Sequence, residues 1–231
     1  MAENPVVTSV KKINTCINMN LNNNNINLQE LINGNIEELS DGALTNINSY
    51  AFYGCKSLTS IDLPACTSIG NNSFENCRTL TSIDLPVCTS IGDSAFDDCT
   101  KLTSIDLPVC TNINSYAFSG CTSLTSIDLP VCTNINSYAF NRCTSLTSID
   151  LPVCTSIGDS AFDDCTKLTS IKLANTSKIC TLSDSNAFNN TPIANKAGYI
   201  YVPDELVEQY KKSTNWSVYA SQIKPLSEYT E

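Results

Sequence analysis

Cysteine recurs at every eleventh position from Cys55 to Cys165, and this spacing constrains the fold of the 231-residue chain. Two such intervals make a 22-residue repeat, which opens with the segment LTSI(D/K)L. The opening leucines are Leu58, Leu80, Leu102, Leu124, Leu146 and Leu168. A fixed period of about 20 to 50 residues is typical of solenoids and other repeat arrays. We therefore expect a stack of near-identical coils.

The first half of each repeat predicts a short strand. In residues 80–101, Ile83 and Leu85 alternate with Ser82 and Asp84, so one face is expected to be buried and the other exposed. Pro86 follows and ends the strand, because proline has no N–H for a sheet hydrogen bond.

The second half of the repeat predicts two corners lined by small and apolar side chains. Cys88 and Ile91 are expected to point inward at the first corner, and Gly92 to permit a tight turn. Ala95 and Phe96 would fill the far side, before a second cysteine closes the coil. One coil cannot bury this face alone, so stacking must create the core.

Seven coils follow this phase, with a cap expected at each end. The coils span 36–57, 58–79, 80–101, 102–123, 124–145, 146–167 and 168–190. Residues 1–35 contain Val6, Val10, Ile13 and Ile17, whose spacing fits one face of a helix. This segment is interpreted as a cap over the first coil or, alternatively, as an oligomerisation or anchoring helix.

Residues 191–231 predict a C-terminal cap with a strand and a helix. Tyr199, Tyr201 and Val202 indicate the strand. Pro203 then precedes DELVEQYKKS, whose acidic start and basic end suit a helix dipole. The apolar side chains beyond this helix are expected to cover the last coil.

The thirteen cysteines raise the alternative of a disulfide framework. We favour free thiols, because the cysteines share the phase of buried Ile, Leu and Phe, and stacked side chains point in parallel rather than toward each other. The chain has no histidine and no CxxC pair, which argues against zinc, and no cofactor is expected. The expected structural ladder is Cys66, Cys77, Cys88, Cys99, Cys110, Cys121, Cys132, Cys143, Cys154 and Cys165.

The charge and hydropathy of the chain exclude several classes of partner. A formal net charge of −10 argues against nucleic acid and against anionic membrane surfaces. No apolar run approaches the roughly 20 residues of a membrane span, so no membrane insertion is expected. The first residues, MAENPVVTSVKK, lack the pattern of a signal peptide. This predicts a protein that is cytoplasmic as made or virion-associated, or at the cell surface through another route or a removed leader.

The phased pattern LTSIxLPxxxxxIGxxAFxxC resembles the leucine-rich repeats of the BspA-like family over about residues 36–190. The terminal stretch YVPDELVEQYKKSTNWSVYASQIKPLSE is similar to the end caps of members from gut Firmicutes and their phages. The repeat here has 22 residues, whereas the common family form has one more. The resemblance implies a solenoid with a parallel sheet on its concave side, irregular convex turns and roles in surface adhesion or ligand binding. It implies no catalytic residues.

The residue types also argue against an enzyme. Without histidine, Ser-His-Asp and Cys-His nucleophiles are excluded. No GxxxxGK phosphate loop is present. The aspartates lie in register ladders rather than in a convergent pair of the glycosidase kind.

The first candidate for ligand binding is the exposed face of the sheet. Its candidate acidic residues are Asp62, Asp84, Asp106, Asp128 and Asp150, with Ser82, Ser104 and Ser126 beside them. Carboxylates about 5 Å apart repel each other, so five in a row suggest binding of a basic partner, a divalent cation or a periodic polymer. The sequence alone favours the alternative, that each Asp is copied with its repeat and keeps the sheet soluble.

The second candidate lies on the turns, where the copies differ. Tyr116 and Tyr138 occupy the same position in adjacent coils and are expected to stack as a ligand platform. Acidic triplets in the neighbouring coils suit weak calcium binding or, more commonly, turn capping. We expect a non-enzymatic recognition or adhesion module for a protein or glycan. The alternative is a structural spacer, such as a virion or tail component, joined through residues 1–35.

Overall fold

The chain forms a stack of coils whose described strands are short and parallel to their neighbours, as seen in a computed structural model that describes residues 38–40, 42 and 44–230. The expected N-terminal cap at 1–35 lies outside the described residues. Each coil contributes one three-residue strand to a first sheet face. Most of these strands have the sequence Ser-Ile-Asp, so we call them SID strands and their surface the SID sheet face. These strands are β1 (Glu38–Ser40), β3 (Ser60–Asp62), β5 (Ser82–Asp84), β7 (Ser104–Asp106), β9 (Ser126–Asp128), β11 (Ser148–Asp150) and β13 (Ser170–Lys172).

Each coil also contributes a second strand of two residues, which the sequence pattern did not predict. These strands are β2 (Asn46–Ile47), β4 (Ser68–Ile69), β6 (Ser90–Ile91), β8 (Asn112–Ile113), β10 (Asn134–Ile135), β12 (Ser156–Ile157) and β14 (Thr181–Leu182). They form one seven-stranded sheet, in the order β14-β12-β10-β8-β6-β4-β2. The SID strands pair as β1-β3-β5-β7-β9. The last two SID strands form a second sheet with two strands of the C-terminal segment, β15 (Tyr199–Val202) and β16 (Ile223–Pro225), in the order β11-β13-β15-β16.

Threonine ladders reinforce the main-chain hydrogen bonds between coils. The amide and the hydroxyl of Thr81 both donate to the carbonyl oxygen of Thr59, at 2.8 and 2.9 Å. Thr89 repeats the arrangement on Thr67 at the second strand, at 2.9 and 3.1 Å. The side chain therefore satisfies its own donor while fixing the register of adjacent coils.

A phenylalanine ladder runs through the centre of the described coils. Its members are Phe52, Phe74, Phe96, Phe118, Phe140, Phe162 and Phe188, all buried. Successive ring centroids lie 5.0–5.5 Å apart and the rings are parallel within 7°. This is the offset-stacked range that aromatic pairs prefer, and each ring from Phe74 to Phe162 lies between two stacked neighbours.

The C-terminal segment closes the stack. Strands β15 (Tyr199–Val202) and β16 (Ile223–Pro225) extend the SID sheet beyond β13. A 3₁₀ turn at Asp204–Leu206 leads into helix α1 (Val207–Lys212). Further 3₁₀ turns lie at Ser185–Phe188, Ser217–Tyr219 and Leu226–Glu228.

Aromatic side chains of this segment seal the last phenylalanine. The ring of Tyr219 meets Phe188 edge-on at 5.4 Å, and Trp216 lies 6.1 Å from it. The indole N–H of Trp216 donates to the carbonyl oxygen of Cys180 at 2.7 Å, and the Cys180 amide donates to the Tyr210 hydroxyl at 2.8 Å. The buried polar atoms of the last coil are thereby paired.

Two positions in each of the first six coils adopt left-handed backbone, and the glycine of the IG pair is not one of them. One is held by Ser94, Tyr116 and Tyr138 (φ 52°, 60° and 60°) and their equivalents, and the other by Asp98, Arg142 and their equivalents. Gly92 was expected to permit a tight turn, but its φ lies outside this region. It is instead required for close approach, since a Cβ there would lie 2.6 Å from the Asn71 amide nitrogen.

Candidate recognition surfaces

The first cysteine ladder lies at the corner beside the short second strands. Its thiols are buried and each donates to a main-chain carbonyl two residues ahead, as in Cys88 to Ser90 and Cys110 to Asn112, at 3.2–3.3 Å. Burial raises the pKa of Cys88 and Cys132 to about 12. These thiols are consequently protonated and poor nucleophiles at neutral pH.

The second cysteine ladder joins one coil to the next. The thiols of Cys77, Cys99, Cys121, Cys143 and Cys165 donate to the carbonyl oxygen of the phenylalanine 25 residues earlier, at 3.0–3.2 Å. Burial raises the pKa of Cys77 to about 12 and also raises the pKa of Cys121. Cysteine therefore acts here as a small apolar side chain that also carries a donor, which the sequence interpretation had not included.

The expectation of free thiols holds for the whole predicted ladder and for Cys180, and it is wrong at Cys55. The ladder cysteines and Cys180 are free and buried. Cys55, at the start of the eleven-residue series, is disulfide-bonded. At the other end, the Cys180 thiol donates to the sulfur of Cys154 at 3.8 Å, which with burial raises the pKa of Cys180.

The SID sheet face presents an ordered row of carboxylates. Asp62, Asp84, Asp106 and Asp128 are exposed and lie opposite one another in successive strand pairs. Ser82, Ser104 and Ser126 form a parallel exposed row, and the two rows border a shallow depression over β5, β7 and β9.

The two ends of the carboxylate row have partners within the chain. Asp62 accepts a hydrogen bond from the Ser40 hydroxyl, at 3.3 Å. Asp150 forms an ion pair with Lys172, at 2.5 Å. Within the described part of the chain, the central residues Asp84, Asp106 and Asp128 form no ion pair. Their charges therefore remain available to an external group.

The predicted tyrosine pair is stacked on the turn face. The ring centroids of Tyr116 and Tyr138 lie 4.7 Å apart with an angle of 2° between the planes. Tyr116 is 41% exposed, whereas Tyr138 is half-buried. Tyr50 occupies the same position in the first coil, but its ring is tilted against Tyr53 rather than stacked on a residue of the next coil.

The acidic triplet of the coil before the tyrosines, Asp93, Asp97 and Asp98, has local structural roles. Asp93 accepts a hydrogen bond from the Ser115 amide of the next coil at 3.1 Å, which is turn capping across coils. Asp98 pairs with Arg78 at 3.1 Å. Burial raises the pKa of Asp97, while a hydrogen bond from Ser119 opposes that shift.

A tyrosine and lysine cluster at the C-terminal end of the sheet face was missed by sequence reasoning. Tyr201 packs edge-on against Tyr229 at 4.9 Å, and the Lys172 ammonium lies 5.2 Å from the Tyr229 ring centre. The Lys224 ammonium lies 5.8 Å from the Tyr199 ring centre. Strand register places Lys172 and Lys224 on either side of Tyr201. Tyr229 lies near the end of the sequence, and no sequence signal indicated its contacts with Tyr201 and Lys172.

An exposed valine ridge was also missed, although its signal is plain in the LPVC segment. Val87, Val109, Val131 and Val153 are each 39–40% exposed at the corner after the SID strand.

Among residues 38–40, 42 and 44–230, no group of three or more metal-ligating side chains is placed to hold a metal ion. No helix in these same residues is long and apolar enough to cross a membrane.

The coil geometry defines a leucine-rich repeat solenoid, and the family comparison specifies its type. The family model described as BspA type leucine rich repeat region (6 copies) matches residues 7–108, 32–130 and 89–208. The chain belongs to this family. Its fold and family are those of repeat proteins that are generally non-enzymatic. No curated protein matches the chain.

Solved structures of bacterial leucine-rich repeat proteins share the fold. A leucine rich cell surface protein from Faecalibacterium prausnitzii is 30% identical over 62% of this chain, with a TM-score of 0.51. A leucine-rich repeat protein from Eubacterium ventriosum is 25% identical over 71%, with a TM-score of 0.61. One from Bacteroides ovatus is 23% identical over 83%, with a TM-score of 0.61, and shows the fold alone. The chain spans only 44–54% of the length of these proteins.

Proposed function

We propose that the chain is a non-enzymatic recognition module, which binds a protein or glycan through outward side chains of the SID sheet face. One observation carries this proposal. The central carboxylates Asp84, Asp106 and Asp128 are held in strand register, are exposed and form no ion pair within the described residues. Like charges opposite each other in a sheet destabilise it, so the row has a cost to stability that external binding would offset.

The family supports the same proposal. Members of this class are typically surface or adhesion proteins, and the Faecalibacterium prausnitzii relative is described as a cell surface protein. Binding rather than catalysis also agrees with the chemistry of the chain, which has no histidine and whose predicted cysteine ladder is buried.

A glycan and protein binding screen with the whole chain tests the proposal. A ligand of the sheet face should bind less tightly, by about tenfold, when Asp84, Asp106 and Asp128 are replaced by serine. The matched control replaces Glu205, Glu208 and Glu228 by glutamine, which removes the same charge from exposed positions of the C-terminal segment.

Equal loss of affinity in both triple variants would show a non-specific charge effect and contradict the sheet-face site. Failure to bind any probe, together with a stable oligomer that is lost on deleting residues 1–35, would contradict recognition altogether. That result would instead support the alternative role as a structural spacer.

A further inference from the structure

The tyrosine stack on the turn face has one open aromatic surface. Tyr116 and Tyr138 cover each other's inner faces at 4.7 Å. Beyond Tyr138 the next coil has Ser160, which is buried, and Tyr138 itself is half-buried, whereas Tyr116 is 41% exposed. Beyond Tyr116 the preceding coil has the small, half-buried Ser94. The outer face of Tyr116 therefore borders the small side chain of Ser94 rather than another aromatic ring.

The backbone at this position does not require tyrosine. Tyr116 and Tyr138 adopt φ of 60°, a left-handed conformation that bulky residues disfavour. Asn72 occupies the same position in another coil at φ 56°, and asparagine tolerates this region well. The aromatic rings are thus unexplained by the fold, in contrast to the buried phenylalanine ladder.

The charge around the open ring is negative. Partial desolvation raises the pKa of Tyr116, and the charges of Tyr138, Asp159 and Asp97 add to the effect. Asp97 belongs to the same coil as Ser94, is half-buried and accepts a hydrogen bond from Ser119, whose amide donates to the Tyr116 carbonyl oxygen at 3.1 Å. An aromatic face is itself the negative side of a quadrupole. An anionic ligand is disfavoured here, and a flat cation is favoured.

We propose that the outer face of Tyr116 docks an arginine from a basic segment of a partner protein, with its guanidinium directed to the carboxylate of Asp97. A guanidinium is planar, stacks on aromatic faces and offers several N–H donors to a carboxylate, whereas an ammonium is compact and strongly hydrated. The net charge of −10 favours the approach of such a segment. This site lies on the turns and goes beyond the proposed sheet-face ligand, so either can fail without the other.

Fluorescence anisotropy with labelled octa-arginine and octa-lysine peptides tests this docking site on the whole chain. We expect octa-arginine to bind about threefold more tightly or better at equal ionic strength, because only guanidinium stacks well. Tyr116→Asn should weaken octa-arginine binding by about fivefold and remove that preference, while Tyr116→Phe, which keeps the ring, retains it. Asp97→Asn should weaken binding of both peptides.

Tyr50→Asn is the matched control, because Tyr50 is 52% exposed, has φ of 63° and shares the repeat position. All variants keep the charges of the sheet face, so non-specific attraction to the acidic row cancels in the comparison. The proposal is overturned if Tyr116→Asn and Tyr50→Asn both bind octa-arginine as the unmodified chain does. It is also overturned if a neutral saccharide, and not arginine, depends on Tyr116.

Discussion

The thiol of Cys99 donates a hydrogen bond to the main-chain carbonyl oxygen of Phe74 in the preceding coil, at 3.1 Å. The same oxygen also accepts the Cys77 amide at 3.0 Å. Cysteine is therefore suited to this position for two reasons, since it fills a small buried space and links adjacent coils. This thiol hydrogen bond recurs every 22 residues, so it accounts for one of the two cysteines in each repeat.

Replacement of Cys99 by alanine should lower the free energy of unfolding by about 1–3 kcal/mol, because it leaves a small cavity and removes a buried donor. Urea unfolding followed by circular dichroism measures this change. Val109→Ala, at an exposed position of the same repeat, should change stability by no more than about 0.5 kcal/mol. Equal effects of the two substitutions would show that the Cys99 site is not a packing position.

Stability should fall at alkaline pH because the buried thiols resist ionisation. The pKa of Cys77, Cys88 and Cys132 is raised to about 12, from a reference value of 9.0. The unfolded chain loses these protons first, so their contribution is complete below pH 9 and is lost progressively as pH rises toward 12. Each thiol changes the free energy of unfolding by about 1.4 kcal/mol per pH unit in that window.

The measurement compares urea unfolding at several pH values for the unmodified chain and for Cys88→Ala. Lysine and tyrosine titrate in the same range, and the comparison removes their common contribution. The variant should show a shallower alkaline decline, by the contribution of one thiol. Identical slopes would show that Cys88 ionises alike in the folded and unfolded chain.

Phe118→Ala should destabilise the chain by about 3–5 kcal/mol, because it removes a ring from the middle of the stack. Phe96 and Phe140 each lose a stacked neighbour at 5.4–5.5 Å. Because coils contact only their neighbours, the substitution should also separate unfolding of the two halves, seen as a broader or biphasic urea transition. Tyr50→Asn, on the exposed turn, should leave the transition sharp.

The sequence predicted the coil better than its details, for physical reasons visible in single residues. Residues equivalent to Ile83 and Phe96 recur at fixed offsets in the repeat. Because burial follows the same period, these core positions can be predicted from the sequence. The second strand at Ser90–Ile91 was not predicted, because two residues are too few to show alternation. Gly92 was assigned to turn conformation, whereas its role depends on the backbone of the coil beneath it.

The sequence likewise predicted some features of the candidate surfaces and missed others. Stacking of Tyr116 on Tyr138 followed from the repeat length, because equal offsets place side chains one above the other. The burial of Ser160 in the coil after Tyr138, and the contact of Tyr229 with Lys172, depend on tertiary packing and had no sequence signal. The disulfide at Cys55 shows that even a residue in phase can differ at the end of the series.

Thiol alkylation followed by intact mass measurement tests most directly whether the cysteine period reflects a buried core. We predict that the eleven free cysteines of the described coils resist iodoacetamide at pH 8 in the folded protein. The same eleven should all be modified after unfolding in guanidinium without reductant. Rapid modification of many thiols in the folded protein, or disulfide bonds along the ladder from Cys66 to Cys165, would contradict the account.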